Sequence, residues 1–270
     1  MSFDAESFDS DIEASPPRRP LRRAARAVAF GVLDLLLPPS CLACRGAVAT
    51  PGALCAGCWS RLAFIERPYC ERLGTPFAFD PGGALLSPEA MDAAPAYQRA
   101  RAAVTFGEVA RAMVHALKYG DRLEAAAPMA RMMARAGAEL LAQADAVVPV
   151  PLHPMRLWRR RFNQSAALGR VLAKEAGVAF RPDWLVRARA TPPQVGLNRT
   201  ARAANVAGAF AVPEALRTEL RGRRVVLVDD VLTTGATLDA CTKTLSRAGA
   251  AGIDVLVFAR VVDGTPSTLS

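Results

Sequence analysis

Unbroken apolar runs recur along the second half of this chain and mark where strands belong. Residues 225–228, Val-Val-Leu-Val, are the clearest, because no polar residue alternates with them, and a strand buried on both faces is predicted. Shorter runs predict strands at 101–106, 146–150, 184–187 and 253–258. Between them the apolar period lengthens. Val109, Met113, Ala116 and Leu117 share one face of a helix predicted over 108–119, and Gly120 stands where a C-cap is expected. Further helical pattern covers 122–144, 164–176 and 237–248. Strands alternating with helices predict an α/β fold: a mostly parallel sheet flanked by helices, with ligands at the carboxyl ends of strands.

The first part of the chain has a different texture. Residues 1–20 are acidic, then rich in proline and arginine, without the apolar core of a signal peptide, and disorder is expected there. An amphipathic helix is expected over 21–37. Its apolar stretch, 28–37, is broken by Gly31 and Asp34, and falls short of the roughly 18 residues of a membrane span. The expected compartment is the cytoplasm. A small cysteine module completes 21–74, a Pro/Gly-rich linker is expected over 75–95, and the α/β body over 96–265.

Composition adds one constraint. The 270 residues are 51% hydrophobic, enough for a real core, and carry a formal charge of +9. That excess permits an acidic partner, either nucleic acid or a phosphorylated substrate. Only three of the 34 basic residues are lysines (Lys118, Lys174, Lys243), and a GC-rich genome would itself produce part of so arginine-rich and alanine-rich a composition.

The sharpest chemistry lies in residues 223–237. The strand at 225–228 runs into Asp229 and Asp230, then Val231, Leu232, Thr233, Thr234, Gly235, Ala236 and Thr237, and then a helix. A strand passing through a small-residue loop into a helix N-terminus forms an anion site, because backbone N–H groups converge and the helix dipole adds to them. The threonines contribute hydroxyl donors, and Gly235 lets the backbone approach the anion closely. The two acids cannot serve the same phosphate; they suit hydroxyls, or a metal, on the group attached to it. Phosphate at one end and a diol beside it describe a ribose 5-phosphate.

Five of six cysteines fall within 41–70. Cys41-x-x-Cys44 and Cys55-x-x-Cys58 make two knuckles suited to a tetrahedral structural Zn²⁺. Cys70 has no partner three places on, where Leu73 stands; it is a leftover of a lost second site or a packed thiol. Cys241, inside the helix after the loop, suits a buried apolar role.

The acid-acid-x-x-Thr-Thr-Gly-x-Thr run resembles the phosphoribosyl pyrophosphate (PRPP) motif of type I phosphoribosyltransferases. Val148-Pro-Val-Pro-Leu-His153, Arg160-Arg-Phe-Asn-Gln164, Thr191-Pro-Pro-Gln194 and the segment 115–121 narrow the resemblance to the ComF family, competence-protein-like phosphoribosyltransferases with an N-terminal cysteine module. Arg161 departs from the family's usual glycine, and the last knuckle is incomplete.

The resemblance implies a type I phosphoribosyltransferase fold with an N-terminal zinc ribbon, PRPP as substrate and Mg²⁺ as its companion. It implies that Asp229 and Asp230 are catalytic, and that residues 231–237 hold the phosphate. Pro151 and Leu152, after a strand end that admits a cis peptide, would meet the pyrophosphate. Lys118 either contacts phosphate or base or complements a helix end. Arg160, within a cationic stretch, suits pyrophosphate or a nucleic-acid backbone. Arg199 lies at the end of a loop expected to close over PRPP. Asn163 and Gln164 either cap the next helix or orient a base. The implied activity is transfer of phosphoribosyl to an acceptor, linked to DNA uptake or nucleotide salvage. The alternative is a non-catalytic adaptor that handles single-stranded DNA with the competence machinery.

Overall fold

Five parallel strands in the order β1–β7–β6–β2–β3 carry the fold. They are β1 (Ala100–Thr105), β2 (Ala146–Pro149), β3 (Ala179–Phe180), β6 (Arg224–Leu232) and β7 (Gly252–Arg260). A separate antiparallel pair is formed by β4 (Val186–Arg187) and β5 (Phe210–Ala211). The computed structural model describes residues 39–80, 82–83, 85–92, 94–119, 122–152, 157, 162–189 and 199–262, with the backbone alone at 199, 200, 202 and 203. The expected disordered N-terminus and the helix at 21–37 lie outside the described residues.

The central strands are apolar on both sides because both sides are covered. Val226 and Val228 point into one core, with α1 (Glu108–Tyr119), α2 (Ala126–Ala136) and α3 (Gln164–Ala176). Val225 and Leu227 point into the other, with Trp184, Leu185, Phe210 and the helix after β6. That helix is α5 (Ala236–Arg247); α4 (Arg199–Val206) precedes β5. The crossovers β2–α3–β3 and β6–α5–β7 place their helices on opposite faces, as right-handed crossovers running in opposite directions must.

The expected long helix over 122–144 is broken. A 3₁₀ turn, Leu123–Ala125, leads into α2, and a further turn, Ala138–Leu141, follows Gly137. A Cβ on Gly137 would lie 2.7 Å from Leu256 Cδ1, so the helix breaks where the chain presses on β7. The strand expected at 184–187 shrinks to Val186–Arg187 and joins the small sheet, because Trp184 and Leu185 are buried in the core instead.

The cysteine module closes the β1 edge. Ile65 N–H donates to the Ala103 carbonyl at 3.0 Å and Thr105 N–H to the Ala63 carbonyl at 2.9 Å. The stretch expected to be a linker is tied down: Phe77 N–H bonds the Pro68 carbonyl, Glu71 N–H bonds the Leu85 carbonyl, and a helical turn forms at Pro88–Asp92. Among the described residues no helix is long and apolar enough to cross a membrane.

Candidate active site and metal centre

The chain leaves β2 towards β3 and leaves β6 towards β7, in opposite directions across the sheet. A crevice therefore opens at the carboxyl ends of β2 and β6. Val150 N–H donates to the Val228 carbonyl at 2.9 Å, and Pro151 and Leu152 continue from there. A cavity of about 220 Å³ occupies this position, lined by Lys118, Val150, Pro151, Leu152, Gln164, Ser165, Arg187 and every residue from Asp229 to Leu238.

Neighbouring residues of a strand point to opposite faces, so the paired acids meet different partners. Asp230, buried, receives Lys118 Nζ at 2.8 Å from the end of α1. Asp229 Oδ1 accepts from Ser165 Oγ–H at 2.8 Å and from the Asp230 N–H at 2.9 Å. Desolvation, then the charge of Asp230, pushes the Asp229 carboxyl up to about 7, against the opposing pull of Ser165 and Lys118. Protein atoms surround Asp229, yet part of its surface faces the cleft, so water there recovers some of the desolvation.

After Leu232 the backbone turns through Thr233, Thr234 and Gly235. Gly235 has φ +77°, a left-handed conformation that glycine adopts without strain, and it opens α5. Its N-cap residue, Gly235, has no side chain to cap the helix. Its first N–H groups and dipole are therefore directed at the loop, which suits an anion. Asp239 is in the first turn but is occupied elsewhere, accepting from Ala96 N–H at 2.7 Å and pairing with Lys243 at 2.6 Å.

Asn163 caps α3: its Oδ1 accepts from the N–H groups of Ser165 and Ala166, and its Nδ2 donates to the Val150 carbonyl at 3.0 Å. One side chain thus fastens the helix to the strand end and aims Ser165 at Asp229. Gln164 is 5% exposed and borders the cavity, and its Oε1 has no hydrogen-bond partner among the described residues.

The four module cysteines converge, with all their sulfurs within 4.8 Å of one another. A zinc tetrahedron with bonds of about 2.3 Å has sulfur–sulfur edges of about 3.8 Å, and Cys44 and Cys55 lie 3.7 Å apart. Cys55 N–H donates to Cys41 Sγ at 3.3 Å, and Arg61 donates to Cys58 Sγ at 3.6 Å. Burial pushes the Cys41 thiol up, but the N–H groups of Cys55, Cys44 and Ala43 outweigh it and bring it down to about 6. Burial and the neighbouring sulfurs push Cys58 up to about 12. Four sulfurs this close suit a cation that takes them all as thiolates, and Zn²⁺ fits the set.

Comparison with known proteins gives the same two parts. Residues 32–90 match the double zinc ribbon domain family and 165–267 the phosphoribosyl transferase domain family. The DNA utilization protein YhgH of Salmonella typhimurium is 33% identical over 84% of this chain and 100% of its own length. Its Escherichia coli K12 counterpart is 31% identical over the same shares. Competence protein F of Haemophilus influenzae is 28% identical over 82% of this chain and 96% of its own. The chain belongs to the ComF family.

Within this ComF protein the structure gathers most of the sequence-selected residues. Asp229, Asp230, Val231, Leu232, Thr233, Thr234, Gly235, Ala236, Thr237, Pro151, Leu152 and Lys118 all border one cavity. Arg160 and the loop before Arg199 lie outside the described residues. Arg199 opens α4, and its side chain is likewise outside them. The cis peptide falls at Arg67–Pro68, not before Pro151. Ser165 and Arg187 were missed. No local signal marks Ser165: its place comes from Asn163, which holds both the start of α3 and the end of β2.

Proposed function

We propose that this chain is a PRPP-binding phosphoribosyltransferase, and the observation that carries the proposal is the crevice joining the helix N-terminus opened by Gly235 to the acid pair Asp229 and Asp230. The 5-phosphate sits on the N–H groups and hydroxyls of residues 233–237. The ribose hydroxyls donate to Asp229 and Asp230. Pro151 and Leu152 border the pyrophosphate side. Mg²⁺, the usual companion of pyrophosphate, would neutralise charge on the leaving group.

Reaction breaks the bond between the anomeric carbon and the pyrophosphate oxygen and forms a bond from that carbon to the acceptor, which gives up a proton. As pyrophosphate departs, positive charge builds on the ribose ring. Fixed carboxylates close to that ring lower the barrier because they are already oriented before the charge develops. Lys118, 2.8 Å from Asp230, holds it in place before substrate arrives.

Calorimetric titration of PRPP in Mg²⁺ tests the reading. Native protein should release heat, and Asp229→Asn combined with Asp230→Asn should abolish it; equal heats would defeat the proposal. The names of the relatives extend it towards a role beside DNA handling. Salt-sensitive binding of single-stranded DNA that survives the acid substitutions would instead favour an adaptor without catalysis.

A further inference from the structure

The matched family is a double zinc ribbon, yet only one half of this module has a metal's ligands. The second half repeats the backbone of the first. In the first knuckle Ser40 bridges Ala47, Cys41 N–H donates to the Gly46 carbonyl at 2.7 Å, and Arg45, at φ +63°, donates back to the Cys41 carbonyl. In the second, at a constant offset, Tyr69 bridges Pro76, Cys70 N–H donates to the Thr75 carbonyl at 2.8 Å, and Gly74, at φ +66°, donates back to the Cys70 carbonyl.

The facing knuckles match as well. Cys55 N–H donates to Cys41 Sγ and then begins a helical turn whose Cys58 and Trp59 N–H groups return to its carbonyl. Ser87 N–H donates to Cys70 Sγ at 3.2 Å and then begins a turn whose Ala90 and Met91 N–H groups return to its carbonyl. The positions of Cys41, Cys44, Cys55 and Cys58 thus correspond to Cys70, Leu73, Ser87 and Ala90.

One thiol, one hydroxyl and two hydrocarbon side chains cannot hold Zn²⁺. Leu73 and Ala90, at positions that correspond to Cys44 and Cys58, are buried. The α/β body supplies the restraint instead. Arg260 Nη1 donates to the Leu73 carbonyl at 2.7 Å, Arg101 Nη1 to the Glu71 carbonyl at 2.8 Å, and Ala100 N–H to the Arg72 carbonyl at 2.7 Å. Gly74 lies so close to β1 that a Cβ there would meet the Ala100 carbonyl oxygen at 2.4 Å.

We infer that the chain binds one zinc ion, in its first ribbon half, and that the second half is a metal-free copy held by β1 and β7. Elemental analysis of the full chain after desalting should give one zinc per protein. Cys70→Ala should leave that count at one, whereas Cys58→Ala should bring it to zero. Restoring ligands with Leu73→Cys, Ser87→Cys and Ala90→Cys together should double the count, and should double the thiolate-to-metal absorption when Co²⁺ replaces zinc. Two zinc ions in the native protein, a loss of zinc in Cys70→Ala, or a folded triple variant that stays at one would overturn the inference. If the triple variant does not fold, the native and Cys70→Ala counts still decide.

Discussion

Replacing Asp229 with asparagine should make this protein more stable at pH 8 and change it little in acid. The side chain keeps its shape, and its Oδ1 can still accept from Ser165 Oγ–H and from the Asp230 N–H. What disappears is a charge placed beside Asp230 in a desolvated site. In the unfolded chain this carboxyl ionises near its ordinary 3.8, and in the fold near 7. Ionising it therefore taxes the fold progressively as pH rises from about 4 to about 7, and no further above that. At about 1.4 kcal/mol per tenfold, the gap between 3.8 and about 7 corresponds to about 4 kcal/mol. Cleft water discounts that figure, and we expect about 2 kcal/mol of stabilisation at pH 8, or roughly 4–8 °C in Tm. At pH 4 the gain should fall by more than half. Urea unfolding of both proteins at the two pH values, in metal-free buffer, measures the difference. A variant less stable at pH 8, or a gain of equal size at both pH values, would refute the account of the acid pair.

The other predictions concern neighbouring parts. Lys118→Met leaves two adjacent acids without their cation, and should destabilise by about 3 kcal/mol at pH 8 and by less at pH 4, read by the same titrations. Gly235→Ala should cost about 1–2 kcal/mol by denaturation, because the nearest side-chain atom to its new Cβ is at an ordinary 3.5 Å and only the left-handed backbone objects. Gln164→Leu removes a buried carbonyl oxygen that has no partner among the described residues; it should preserve or raise stability while weakening PRPP binding measured by calorimetry. A strong chelator should expose residues 41–62 to limited proteolysis while the far-UV circular dichroism of the sheet persists.

Sequence pattern was most informative where burial was complete. The strand at 225–228 announced itself because β6 is covered on both faces, and the acids that follow it stood out for the same reason. Helices 108–119 and 164–176 were bounded correctly because each apolar stripe meets a core along its whole length. Two-residue strands such as Ala179–Phe180 and Phe210–Ala211 carry no period to read. The break at Gly137 depends on Leu256, more than a hundred positions away. Ser165 was hidden because its role comes from Asn163 holding both α3 and the end of β2. The second ribbon half was only partly legible: Cys70 left open a lost site, but Leu73, Ser87 and Ala90 at the other ligand positions signal no knuckle.

The backbone of residues 63–65 seals the outer margin of the sheet along β1. Without it, β1 would present a bare row of donors and acceptors to any passing chain. Arg260 ties the same appendage to the last residue of β7, which pairs in register with Leu232 at the mouth of the phosphate loop. The two halves of this chain therefore share one fate. A protease nick between them would release a self-adhesive fragment rather than an independent catalyst, and a gene fusion that borrowed only the larger half would inherit an open seam.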